Sequence, residues 1–200
     1  MTSEIKSFVS YLRDVRQTSK NTEISYQRDL QQLAAFLEGK GITDVEKVTR
    51  TSLNSYILYL EKEGKATTTI SRELASIKAF FSYLFREGII RRDPSELLKA
   101  PKIEKKAPVI LSVNEVNALL DQPGTSSAKE IRDKAMMELL YATGIRVSEV
   151  RYITVEAAQR GRTEISLKGK IRTILLPGKL CRKLLKYARK HKTVSGEIFL

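Results

Sequence analysis

The sequence predicts a mainly α-helical protein with one small β-hairpin, built as a four-helix N-terminal domain and a second domain behind a linker. Three observations predict it. Apolar residues recur at helical spacing through the first hundred positions. A charged segment bounded by prolines, Pro101 to Pro108, interrupts that pattern. Beyond it, two β-branched stretches flank Gly169 in an otherwise helical context.

In the first helix, Ile5, Phe8, Val9 and Leu12 form one apolar stripe. Ser19 opens the second, with Tyr26, Leu30, Leu33, Ala34 and Leu37 inward and Gly39 or Gly41 as the stop. The third is expected after Thr51, carrying Leu53, Tyr56, Ile57 and Leu60 and ending at Gly64. The fourth steps through Ile70, Leu74, Ile77, Phe81 and Leu84, and Gly88 closes it. Four such helices can share one core over residues 1–100. Asp93-Pro94 breaks the pattern, with a short helical turn expected at 94–99. The segment 101–108 suits neither a helix nor a central strand, so it reads as an interdomain linker.

The second domain is expected over 109–200. Ser112-Val-Asn-Glu115 and Ser127-Ala-Lys-Glu130 are capping boxes, starting helices at about 113–121 and 128–142. Thr143-Gly144 stops the latter, and a short helix resumes from Val147 to Tyr152. Arg162–Leu167 and Ile171–Leu176 pair as the hairpin, with Gly169 at the centre of its turn. Pro177-Gly178 ends it, a basic helix fills 179–191, and Ile198-Phe199-Leu200 begins another apolar element.

Charge narrows the function. The chain holds 36 Lys+Arg against 23 Asp+Glu, a net charge of +13, which points to a polyanionic partner, usually nucleic acid. A ribosomal or simply basic protein is the plainer alternative. Residues 1–100 carry a net +3 and residues 101–200 a net +10, and twelve cations face a single acid, Glu164, between Arg160 and Lys192. Cys181 is the only cysteine and His191 the only histidine, which excludes an intramolecular disulfide, a thiolate cluster, a His-rich metal site and a Ser–His–Asp triad. The N-terminus lacks a signal-peptide pattern and no 18-residue apolar run occurs, so a cytoplasmic protein is expected.

Two pieces carry candidate chemistry. In Tyr141-Ala-Thr-Gly-Ile-Arg-Val-Ser-Glu-Val150, a Thr-Gly break places Arg146 where a new helix starts, near free N–H groups that favour a phosphate. On spacing alone, the plainer reading is a surface arginine paired with Glu149. In Lys168-Gly-Lys-Ile-Arg172, a lysine at a hairpin tip can reach a phosphate, or simply serve solubility.

Together and in this order, these pieces resemble the tyrosine recombinase (phage integrase) family, especially its Xer-like bacterial members. The string Ala-Thr-Gly-Ile-Arg-Val-Ser-Glu at 142–149 carries the resemblance most specifically, and the likeness covers the whole chain. It implies an N-terminal core-binding (SAM-like) domain, a connector, and the first half of a catalytic domain. It also implies a chemistry: a tyrosine attacks the scissile phosphate, leaving a 3′-phosphotyrosyl link and a 5′-hydroxyl, with no metal or ATP. Arg146 would then bind non-bridging oxygens, Glu149 would orient the site, and Lys168 would act as general acid toward the departing oxygen. The turn is one residue shorter than usual in the family, so Lys170 stays open as the alternative lysine.

The resemblance further implies that two helix starts meet DNA: Lys20, Asn21, Thr22 and Ser25, then Thr67, Thr68, Thr69, Ser71 and Arg72. Ordinary capping accounts equally for those hydroxyls. Arg160, Arg162, Lys170 and Arg172 are the basic-run residues expected nearest the site, while Lys183, Lys186 and Arg189 read either as DNA contacts or as a solvated helix face. Tyr26 and Tyr83 are expected in or beside the core.

The family's His-x-x-Arg motif and C-terminal nucleophilic tyrosine have no counterpart here; Lys-Thr-Val follows His191. The expectation is therefore a fragment of a longer reading frame that binds duplex DNA and does not cleave it alone, its tetrameric synapse belonging to the complete protein. The competing readings are a non-catalytic DNA-binding module or degenerate integrase, and an RNA-binding protein, disfavoured because no aromatic RNA-binding strand motif occurs.

Overall fold

The computed structural model describes residues 1–102, 107–167 and 170–199. The chain divides into two compact units, Met1–Ala107 and Pro108–Leu200. Residues 103–106 of the linker, together with Lys168 and Gly169 at the hairpin turn, lie outside the described residues. No helix among the described residues is long and apolar enough to cross a membrane.

The first unit is the expected four-helix bundle: α1 (Thr2–Asp14), α2 (Lys20–Glu38), α3 (Arg50–Lys62) and α4 (Thr67–Arg86). Its core gathers the stripes read from the sequence, with Leu30, Leu33, Leu37, Leu53, Phe80, Phe81 and Leu84 fully enclosed. Phe8 meets Phe80 edge-on, centroids 5.5 Å apart. Tyr83 is buried and Tyr26 packs half-buried against the core.

Local hydrogen bonding moved three details. Helix α3 starts earlier than expected because Thr49 and Ser52 cap each other: the Ser52 N–H donates to Thr49 Oγ1 at 3.2 Å and the Thr49 N–H to Ser52 Oγ at 3.0 Å. Residues 94–97 are turn without helix. There Asp93 Oδ1 accepts both the N–H and the hydroxyl of Ser95, at 2.8 and 2.6 Å, and this local bonding competes with a helical ladder. A 3-10 turn at Val45–Lys47, capped by Asp44, was not anticipated.

The second unit runs α5 (Val113–Leu120), α6 (Ala128–Thr143), a 3-10 segment (Val147–Tyr152), α7 (Val155–Arg160), β1 (Arg162–Leu167), β2 (Lys170–Leu175) and α8 (Gly178–Lys190). Both capping boxes form as read, at Ser112/Glu115 and Ser127/Glu130. Helix α7 was missed; Thr154 caps it by accepting the Ala157 N–H at 3.1 Å, and Ala157 and Ala158 are buried. The strands pair antiparallel, Thr163 opposite Ile174 and Ile165 opposite Arg172. Ile198 is buried, and its N–H donates to Ile153 O at 2.9 Å beside a bridge between Thr154 and Glu197.

Candidate phosphate-binding site

The corner that presents Arg146 is built in three steps. Gly144 ends α6 in the left-handed region, φ 63°, a conformation that glycine adopts without steric cost. Thr143 steadies the bend: its hydroxyl donates to Leu139 O at 2.6 Å. Ile145 then drives into the core, 5% exposed, so the next residue emerges at the surface. Arg146 is that residue.

Beneath it lies Glu149, 1% exposed. A carboxylate so buried stays charged only if donors surround it. Three do. The Arg146 N–H donates to Oε2 at 2.8 Å, Arg146 Nη1 donates to Oε1 at 3.1 Å, and Arg172 Nη2 donates to Oε2. The Arg146 N–H, ahead of its side chain and the nearby Arg172 charge, holds the Glu149 carboxyl below the usual carboxylate range against the opposing effect of burial. The Arg146 guanidinium remains 68% exposed and that of Arg172 44% exposed. Two cations on one buried anion leave a net positive charge facing solvent.

This geometry revises the sequence reading of the corner. The new helix is a six-residue 3-10 segment, and of the backbone N–H groups near its start, where free ones were expected, that of Arg146 is occupied by Glu149. The ion pair and the exposed guanidinium, posed as alternatives, coexist in one arrangement.

The hairpin register sorts the basic residues. Thr163, Ile165 and Ile174 are buried and define the inward row of side chains. Arg172 stands opposite Ile165, and Lys170 opposite Leu167, so both belong to that row. Arg162 stands opposite the exposed Leu175 on the other face, apart from Arg172. Arg160 ends α7 and is exposed. Lys168 lies outside the described residues. Sequence reasoning counted Arg172 as a DNA contact and missed its pairing with Glu149; the signal was an arginine where strict alternation calls for an apolar residue.

In the first unit, the two helix starts differ. Ser19 caps α2, accepting the Thr22 N–H at 3.3 Å, and its hydroxyl lies 2.9 Å from that of Thr22. Lys20 and Asn21 are exposed there, and Ser25 is half-buried. At α4 the cap position is Ala66, which offers no side-chain acceptor. Thr67 and Thr68 are exposed and Thr69 is half-buried at that uncapped end. Ser71 is different: its hydroxyl oxygen is buried without a partner among the described residues, which withdraws it from solvent. Arg72 donates to the buried Asp29, which also accepts the Ser76 hydroxyl at 3.0 Å. Its guanidinium is tied down yet 46% exposed.

Helix α8 displays Lys179, Arg182, Lys183, Lys186, Arg189 and Lys190 to solvent, with Leu180, Leu184 and Ala188 inward. Lys183 is held by both oxygens of Glu138, at 2.6 and 2.7 Å.

Comparison with known proteins joins these observations. Residues 5–88 match the phage integrase N-terminal SAM-like domain, and residues 110–200 match the phage integrase family domain. A protein named as a tyrosine recombinase from Caldanaerobacter subterraneus subsp. tengcongensis is 39% identical over 197 residues, covering 98% of this chain and 68% of its own length. The tyrosine recombinase XerC of Roseiflexus castenholzii is 36% identical over 191 residues, covering 94% of this chain and 61% of its own length. The chain thus spans about two thirds of these relatives. A lambda integrase dimer bound to a COC′ core site shares the fold, with TM-score 0.74, 18% identity, and coverage of 93% of this chain and 66% of that one. A Tn1549 transposon integrase in complex with transposon right end DNA aligns with TM-score 0.70 and 16% identity over 98% of this chain and 70% of its own. With a bundle matched to one domain of the family and the Arg146 corner inside the other, the chain belongs to the phage integrase family of tyrosine recombinases.

Proposed function

We propose that this chain binds duplex DNA and supplies the phosphate-holding half of a tyrosine recombinase site, with Arg146 as the ligand to non-bridging oxygens. The observation that carries the reading is the exposed Arg146 guanidinium, fixed at a glycine-built corner by a buried carboxylate. A planar donor held in one orientation, with outward N–H groups, meets two oxygens of a phosphodiester at little further entropic cost. As the phosphate gains negative charge in phosphoryl transfer, a preorganised cation stabilises it more than the ground state, which is the condition for catalysis.

Strand cleavage and rejoining through a 3′-phosphotyrosyl intermediate, within a multi-subunit synapse, is the activity proposed for a protein of the relatives' full length. For these 200 residues the proposal is DNA binding without cleavage, in the cytoplasm. Lys168 is the first choice for the hairpin general acid and Lys170 the alternative; the shared row of Lys170 and Arg172 supports the latter. Supporting contacts come from the exposed Lys20, Asn21, Thr67 and Thr68 and from Arg72 in the first unit, and from Arg160 and Arg162 in the second.

Binding to duplex DNA is expected to weaken at least about tenfold between roughly 50 and 200 mM salt. Absent or salt-insensitive binding would refute the reading. In a protein of the relatives' length, Arg146→Ala should abolish covalent attachment to DNA while most affinity persists. Equal loss of both would make Arg146 a structural residue.

A further inference from the structure

Arg172 is out of place by the logic of its strand. It occupies the inward row of β2, opposite the buried Ile165, with the buried Ile174 two residues on. Its guanidinium, 44% exposed, reaches Glu149, which is 1% exposed and as a buried anion requires cations to meet it. The division of the carboxylate is informative. Oε2 takes the Arg172 guanidinium and the Arg146 backbone N–H, while Oε1 takes the Arg146 side chain. Because Oε2 is filled from elsewhere, Arg146 has a single recorded side-chain contact to Glu149 and keeps most of its guanidinium in solvent.

We infer that Arg172 is a positioning residue, which satisfies Glu149 so that Arg146 is left outward and available to a phosphate oxygen. The inference rests on Arg146 being the phosphate ligand. Without Arg172, a buried carboxylate would face one guanidinium only, and the favoured geometry of that pair is a two-pronged fork. Arg146 would then turn both prongs inward and lose the donors that face a phosphate. The same ion pair spans 23 residues and links β2 to the 3-10 segment, so it also fixes the hairpin against the Arg146 corner.

The test follows the Arg146 Nε–H resonance of the 15N-labelled chain, identified by its loss in Arg146→Lys, with inorganic phosphate as the probe. Arg172→Gln should move that resonance before any phosphate is added and weaken phosphate binding there by about tenfold. Arg172→Lys retains a cation and should restore much of both. Adding Glu149→Gln to Arg172→Gln removes the charge that captures Arg146, and should return the affinity to within about threefold of the unsubstituted chain. An unmoved resonance in phosphate-free Arg172→Gln overturns the inference, as does a double variant no better than the single one. That second pattern would make Arg172 a direct phosphate ligand. Absence of any phosphate response in the unsubstituted chain would instead overturn the reading of Arg146, and the phosphate-free resonance still decides what Arg172 does.

Discussion

At the scale of single residues, two buried acids lie under opposite constraints. Donors surround Glu149, and its folded pKa is depressed from the ordinary 4.5. A depressed acid contributes stability that is present above its unfolded value and lost as pH falls through the folded one. Unfolding of the second unit should therefore become easier as pH drops below about 4.5, and Glu149→Gln should flatten part of that dependence. Glu115, Glu130 and Glu156 are depressed as well and should keep the remainder. A Glu149→Gln profile parallel to the original would show that the carboxylate is not held as described.

Glu73, 2% exposed in the bundle, is the converse. Burial raises its pKa, the Tyr56 hydroxyl donating at 2.9 Å lowers it, and the neighbouring Asp29 adds to the rise. Its ionised form is disfavoured in the fold, so stability is lost as pH rises through the folded value. Glu73→Gln, which still accepts from Tyr56, should raise the unfolding midpoint of the first unit at pH 7 and leave it unchanged at pH 4. A lower midpoint at pH 7 would mean that Arg72 and Lys65 pair with Glu73 more strongly than burial opposes it.

At the scale of elements, the helices were legible because burial on one face repeats at a readable period. The stripes of α1, α2 and α4 became core almost residue for residue. Two short elements were not legible, the 3-10 turn at Val45–Lys47 and α7. Six-residue α7 presents Val155, Ala157 and Ala158 to the core, too brief a pattern to show a period; its local signs were the capping Thr154 at one end and Gly161, left-handed at φ 71°, at the other. The site was half legible. Arg146 and Glu149 sit three apart in one string, but the Arg172–Glu149 contact joins positions 23 apart and depends on a register that composition does not reveal. Gly144 governs how that string is displayed. A side chain there would meet nothing within 4 Å, so the penalty of Gly144→Ala is purely conformational. It should cost about 1 kcal/mol in the second unit and shift the Arg146 resonance, measurable by urea unfolding and NMR. An unchanged midpoint would show that the corner relaxes freely.

At the scale of the whole molecule, each unit closes its own core. Phe80 is fully enclosed among first-unit residues, whereas the second core runs from Ala135 to Ile198. Phe80→Ala should cost about 3–5 kcal/mol and lower the unfolding of the first unit alone. A matching drop in the second would reveal a single cooperative fold. The charge is divided likewise, a net +3 in residues 1–100 against +10 in residues 101–200, so salt-sensitive affinity should reside mostly in the second unit.

The lone thiol of the chain gives that division a practical handle. Cys181 is 7% exposed on the inner face of α8, its S–H donating to Leu176 O at 3.3 Å, and burial raises its pKa. Alkylating reagents act on exposed thiolate, so the folded second unit shields this sulfur on both counts. Its modification rate is a stopwatch for how often that half of the protein breathes open, while the cysteine-free bundle stays silent.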